Sequence, residues 1–312
     1  MHNFMRYIRQ NKKQIIKVAV IAASLFGLLQ LLDYLAGQDI KTENSYNKSD
    51  IYKTSNGTIV SDKSAVSGGT ISTTELKKVS NKIEEFVEFC NEQNTEAAYN
   101  LLSESCKEEF YPSNDSFVTY YYEPLFKKGK RTYSIQNWIK DTYIVKFTED
   151  LLATGKSGSE STYQDYITII DENGEKKLNI NKYIAREELD NTINQDNIQI
   201  TVTSRNKYMD YEEYEIKVTN NTEGTILLDQ LLDTDSIYLV DNNKTKHIAY
   251  SNEIVKDDLK IYKGHTKTIK IKFDNPYISG RKIKTLCFSN VVLKYDINNK
   301  ASFETQKISI NL

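Results

Sequence analysis

Side chains with catalytic potential are sparse in this chain. Its three histidines are His2, His247 and His265, and no His-x-x-x-His or His/Cys spacing supplies the ligand set a zinc ion requires. No metal and no cofactor are expected. A Gly-x-Ser-x-Gly elbow and a phosphate-cradling glycine loop are both missing, so the common hydrolase and nucleotide chemistries lack a nucleophile or a cradle. His247 and His265 fall at a strand edge and a turn and read as surface residues. What remains is Asp165, with Tyr163 and Tyr166 beside it and Tyr99 upstream. In an apolar pocket, desolvation would tune such a carboxyl group and the tyrosines would act as donors. In an alternating strand Asp165 lies opposite Gln164 and Tyr166, which makes it either an exposed edge residue or a pocket residue. The expectation is a protein without catalytic activity.

Other residue types point to contacts. Tyr120, Tyr121 and Tyr122, followed by Lys127, Lys128, Lys130 and Arg131, combine amphipathic rings with a basic run. Such a surface could hold a partner protein, an anionic lipid or a wall polymer. With 22 tyrosines in the chain, many must also serve strands and cores. Cys90, Cys106 and Cys287 are too few for a disulfide scaffold. They read as small core hydrophobes, with a Cys90–Cys106 bridge left open because both lie in neighbouring helical segments.

The elements that would carry these residues follow from periodicity. Ser72-Thr-Thr-Glu75 is a capping-box pattern, and behind it Leu76, Val79, Ile83, Phe86, Val87 and Cys90 recur at helical spacing. A second helix follows Asn94, and a short third one runs from Ser113 to a stop at Pro124. The period then changes to two. Arg131–Trp138, Thr142–Phe147 and Tyr163–Ile170 are rich in aromatic and β-branched residues, and Asp171-Glu-Asn-Gly174 turns into Lys177–Asn181. Helices followed by an antiparallel meander predict an α+β domain over residues 73–190. The segments Ile83–Asn91, Glu96–Ser103 and Tyr163–Ile170 together resemble the NTF2-like superfamily. That resemblance implies a cone with a pocket between helices and sheet, in which Tyr99, Tyr163, Asp165 and Tyr166 would be the candidate ligand residues.

Residues 197–312 are all-β by their period. Ile198, Ile200 and Val202 alternate, as do Tyr214, Ile216 and Val218, then Ile269, Ile271 and Phe273, then Val291, Leu293 and Tyr295, then Ile308 and Ile310. Turn residues separate the runs, which predicts a two-sheet sandwich. The stretches Tyr214–Thr222, Leu259–Gly264 and Thr268–Phe273 resemble immunoglobulin-like modules of bacterial envelope proteins. Asp190–Asp196 would be the hinge between the two domains.

At the other end, residues 14–36 contain an apolar run, Val18–Leu32, of a length that matches a bilayer's hydrocarbon core of about 30 Å. Arg6, Arg9, Lys12, Lys13 and Lys17 flank it without an acid, whereas Asp33, Asp39 and Glu43 follow it. The positive-inside bias puts residues 1–13 in the cytoplasm and the rest outside. Tyr34-Leu-Ala36 makes a poor signal-peptidase site, which favours an uncut, single-pass anchor over a cleaved signal. Residues 37–72 are polar and read as a flexible linker with a reach on the order of 30 Å.

The fold class expected is therefore an α+β NTF2-like cone plus an all-β immunoglobulin-like sandwich behind one N-terminal transmembrane helix. Charged residues make up 27 % with a net charge of −2, so no nucleic acid partner is expected. Abundant Lys, Asn, Ile and Tyr with only 3 prolines suggest AT-rich bacterial codons. The expected function is a binding or scaffold protein at a bacterial cell membrane, contacting the bilayer through residues 14–36 and an envelope protein or a second copy of itself outside. Its layout resembles the membrane-anchored NTF2-like proteins of conjugative transfer, which implies a structural role in such an apparatus as one alternative. A small-ligand or enzymatic pocket is the other.

Overall fold

The computed structural model describes residues 52–53, 57–61, 72–149, 162–230, 235–278, 280–295 and 304–312. The chain divides after Ile51, and all described residues belong to its second unit, Tyr52–Leu312. The tail, the 14–36 segment and its basic flank Arg6, Arg9, Lys12, Lys13 and Lys17 lie outside the described residues. Among the described residues, no helix is long and apolar enough to cross a membrane.

Ser72 caps α1 (Thr73–Asn91) by accepting the Glu75 amide at 3.2 Å. Leu76, Val79, Ile83, Phe86, Val87 and Cys90 are all buried, so the expected stripe forms the helix's inner face. Asn94 caps α2 (Thr95–Asn100), and Ser103 caps α3 (Glu104–Phe110), a helix that the sequence reading did not separate. Next come α4 (Asn114–Phe117), a π-helical turn (Val118–Tyr122) and α5 (Glu123–Phe126) without a break. Pro124 does not stop this segment. The wide turn sends the Glu123 amide back to the Val118 carbonyl, and the proline then falls in the first turn of α5.

These helices cover one face of a six-stranded sheet: β1 (Tyr52–Lys53), β2 (Gly57–Ser61), β3 (Arg131–Ile139), β4 (Thr142–Glu149), β5 (Thr162–Glu172) and β6 (Glu175–Asn179), in that order. All neighbours are antiparallel except β2 and β3. Helix and strand residues form one apolar core, from Leu76 and Phe86 to Tyr133, Val145, Phe147 and Ile167. β1 and β2 correct the expectation of an uninterrupted flexible linker over 37–72. A lone polar segment cannot order itself, but the free edge of β3 offers Gly57–Ser61 a ladder of backbone partners. Gly57 is required there by close approach, since a Cβ on it would lie 2.2 Å from the Tyr133 ring.

The last third is a two-sheet sandwich, as its period predicts. One sheet has the order β14 (Thr266–Phe273), β9 (Glu212–Asn220), β8 (Ile198–Tyr208), β7 (Tyr183–Gln195). The other is six-stranded and is built from β10 (Ile226–Leu227), β11 (Ile237–Asp241), β12 (Lys246–Ile248), β13 (Lys260–Ile261), β15 (Ile283–Val292) and β16 (Thr305–Asn311). Ile200, Val202, Ile216 and Ile271 from the first sheet meet Leu239, Leu286, Phe288 and Ile308 from the second in a shared core.

Asp190–Asp196 is not a hinge. It is the outer part of β7 and its turn into β8, paired from Asn191↔Val202 to Gln195↔Ile198. β7 is an edge strand whose side chains stay half wet, so it carries no apolar alternation, and its order comes from the β8 ladder. The boundary at 190 moves accordingly. Tyr183 and Tyr208, at the base of this hairpin, are buried with the helices, whereas Ile198, Ile200 and Val202, towards its tip, are buried in the sandwich.

Candidate functional site

Asp165 is completely buried on β5. The β6–β7 connection wraps around it through Asn181 and Lys182, whose φ values of 59° and 63° are left-handed and turn both amides inward. Oδ2 accepts the Asn181 N–H at 2.8 Å and the Tyr121 hydroxyl at 2.9 Å, while Oδ1 accepts the Lys182 N–H at 3.0 Å and the Tyr166 N–H at 2.7 Å. Two donors on each oxygen leave little acceptor capacity for a substrate. Burial raises this carboxyl group above the ordinary carboxylate range, and the three amides and Tyr121 pull against that rise.

The other expected pocket residues do not converge on it. Tyr99 donates to the Tyr111 carbonyl at 2.9 Å, and Tyr166 sets its ring edge-on to Trp138 at 5.5 Å between centroids. Tyr163 is partly exposed and stacks on Phe147; burial, with Asp165 behind it, pushes its hydroxyl up to about 12. The side chain that does meet Asp165 is Tyr121, which was expected at the surface.

The expected contact surface is likewise divided. Tyr120 is 72 % exposed, but Tyr121 and Tyr122 are buried, because the π turn rotates them under the helix to stack on Phe117 and Phe126. Lys127, Lys128 and Lys130 are exposed, with Lys127 paired to Glu123. Arg131 is not a surface contact. It is buried, donating from Nε to the Leu125 carbonyl at 2.6 Å and facing Glu149 at 3.4 Å. Tyr208 and Tyr214 are buried as well, and Tyr211 stacks on Tyr208 at 4.2 Å.

Cys90 and Cys106 are free, buried thiols rather than a bridge. Burial pushes Cys106 up to about 12, far from a reactive thiolate. His247 is not at the surface: it is 7 % exposed, with Nε2 3.3 Å from Asp241 Oδ2 and Nδ1 3.3 Å from the Asp274 carbonyl oxygen. His265 is exposed, as expected. Among the described residues, no group of three or more His, Cys, Asp or Glu side chains could hold a metal ion.

A charged cluster at the base of the β7–β8 hairpin escaped the sequence reading. Glu109 of α3 accepts the Tyr208 hydroxyl at 2.6 Å and the Asn206 amide at 2.9 Å, and Lys270 of β14 lies 3.7 Å from it and 3.3 Å from Glu213 of β9. Alongside, Arg205 and Lys207 both grip Glu187. Its members lie up to 161 residues apart, 109 to 270, so no local spacing announces it. This cluster pins the helical layer to the strands of the sandwich.

Comparison with protein-family models, with curated proteins and with solved structures finds no match for this chain.

Proposed function

We propose that this chain is a membrane-anchored binding or scaffold protein of a bacterial cell envelope, with its α+β and sandwich parts held outside by residues 14–36. The observation that carries the binding role is the saturation of Asp165. The acid best placed by sequence for proton transfer receives three backbone amides and a tyrosine hydroxyl, which makes it a fastener of the β6–β7 connection. The basic flank and length of the apolar run support the anchor. Four helical segments ahead of an antiparallel meander agree with an NTF2-like cone, and two facing sheets agree with an immunoglobulin-like module.

Binding is the role for which such a body is suited, since its two cores are joined through one hairpin and present a stable surface. The test is chemical crosslinking in cells producing the full chain, followed by purification under denaturing conditions. A reproducible envelope protein, or a second copy of the chain, is the expected product; consistently empty crosslinks would overturn the role. Alkaline carbonate extraction examines the anchor separately, and release of the intact chain into the supernatant would refute it.

A further inference from the structure

The outer face of the six-stranded sandwich sheet carries a charge pattern that the binding role does not use. Ile237 and Leu239 point into the core, so Tyr238 between them faces outward. It is nevertheless only 6 % exposed. Two ammonium groups cover it, Lys246 Nζ at 4.2 Å and Lys307 Nζ at 5.6 Å from the ring centroid. Lys244 and Lys282 stand near the same end of the sheet, where Asn242 and Lys282 exchange hydrogen bonds between the β11–β12 turn and the start of β15. All four lysines are exposed.

Among the described residues, the acids nearest this end of the sheet are already engaged. Asp241, at the end of β11, is buried against His247 and the amides of Asn243 and Thr245, and Asp274, beyond β12, faces the Tyr250 hydroxyl. In a chain with a net charge of −2, this is a local concentration of positive charge. The pairing Tyr238↔Cys287↔Ser309 places β11, β15 and β16 side by side, with β12 beyond β11. Four strands in a row are about 14 Å across at the usual spacing. The ammonium groups therefore spread in two dimensions over a sheet face.

We propose that this face docks onto a bilayer surface containing anionic lipid, with Lys244, Lys246, Lys282 and Lys307 seated among headgroup phosphates. A planar array matches a plane of phosphates, whereas a single polymer chain would meet the lysines along one line. Lysine suits this task because its ammonium is a compact charge that needs no fixed partner geometry. The inference rests on the anchoring of residues 14–36, which would keep the bilayer at high effective concentration and let a modest surface affinity suffice.

The test uses the full chain reconstituted into vesicles of phosphatidylcholine, with or without phosphatidylglycerol, and footprints its lysines by acetylation. Lys244, Lys246, Lys282 and Lys307 are expected to be protected only with phosphatidylglycerol and to become reactive again at high salt, while Lys128 reacts equally in both. In K246Q/K307Q, the bound-to-free ratio read at Lys244 and Lys282 should fall about thirtyfold, as about fivefold per lysine implies. Equal labelling in both vesicles overturns the proposal, as does protection by soluble polyphosphate without protection by anionic vesicles. Failure of the anchor is read separately by carbonate extraction. If the chain is extracted, flotation with preformed vesicles decides, and absence of the chain from anionic vesicles overturns the proposal.

Discussion

Asp165 illustrates how a residue suited to catalysis becomes structural. Its carboxylate closes a connection in which two successive residues take left-handed backbone angles, a conformation that non-glycine residues adopt only when surrounding contacts enforce it. In Asp165→Asn, an amide replaces one oxygen and faces donors that it cannot accept. Stability should fall by about 3 kcal/mol, measured by urea unfolding, whereas Tyr121→Phe should cost only about 1 kcal/mol. Equal losses in the two variants would show that the amides contribute nothing. Alternation sets Asp165 on the face of β5 opposite Gln164 and Tyr166 without deciding which face is dry. What lay beyond reading was the occupancy of its oxygens, because Tyr121, Asn181 and Lys182 reach it across 44, 16 and 17 residues. His247 was misjudged for the same reason, since it is buried only through Asp241 and a loop carbonyl that meet it in the fold.

At the scale of elements, legibility follows from whether a segment carries its own signal. Ile198, Ile200 and Val202 alternate because one face of β8 is dry, and the α1 stripe repeats because one side of the helix is dry. β7 is an edge strand and β2 lies between β3 and the two-residue β1; the order of each comes from a neighbour, and neither shows the pattern. β2 offers a direct check. Gly57→Ala would drive a methyl group into the Tyr133 ring, which is buried in the first core and has no room to retreat. The variant should release β2 from β3, with accelerated hydrogen exchange and proteolysis at Gly57–Ser61 and little change in the melting of the rest. Unaltered exchange there would mean that the strand is not docked in solution.

Across the whole molecule, the division into two cores was legible but their union was not. The two compositions differ, so a boundary near residue 190 suggested itself; the base of the hairpin that crosses it, from Tyr183 to Glu188 and from Ser204 to Tyr208, carries mostly polar residues and tyrosines with no distinctive spacing. Tyr208→Ala removes a ring from the first core and a hydroxyl from Glu109. A loss of about 3–5 kcal/mol is expected. It should appear as one shifted calorimetric transition over the folded unit, and a split into two transitions, one of them at the original temperature, would contradict the union. The carboxylates around Lys270 add a pH dependence. Burial, with Glu109 close by, holds Glu213 above the ordinary glutamate range despite the pull of Lys270. A raised folded value means that its contribution is present below the unfolded value and is lost as pH rises through the folded one. Glu213→Gln should therefore raise Tm at neutral pH, with the gain vanishing as pH falls below the glutamate range; a gain independent of pH would point to packing instead.

The β7–β8 hairpin also fixes how the molecule would bear load. Its strands are antiparallel over 13 and 11 residues, and its base and tip are embedded in different cores. Tension drawing one core away from the other therefore acts along both strands, and the hairpin can leave the sandwich only by shearing the β8–β9 ladder. Shear strains many rungs of a ladder together, whereas peeling opens them one after another. A protein tied to a membrane at one end and gripped by a partner at the other would have no soft joint between its cores. It could pass a pull from the partner to the bilayer while remaining folded.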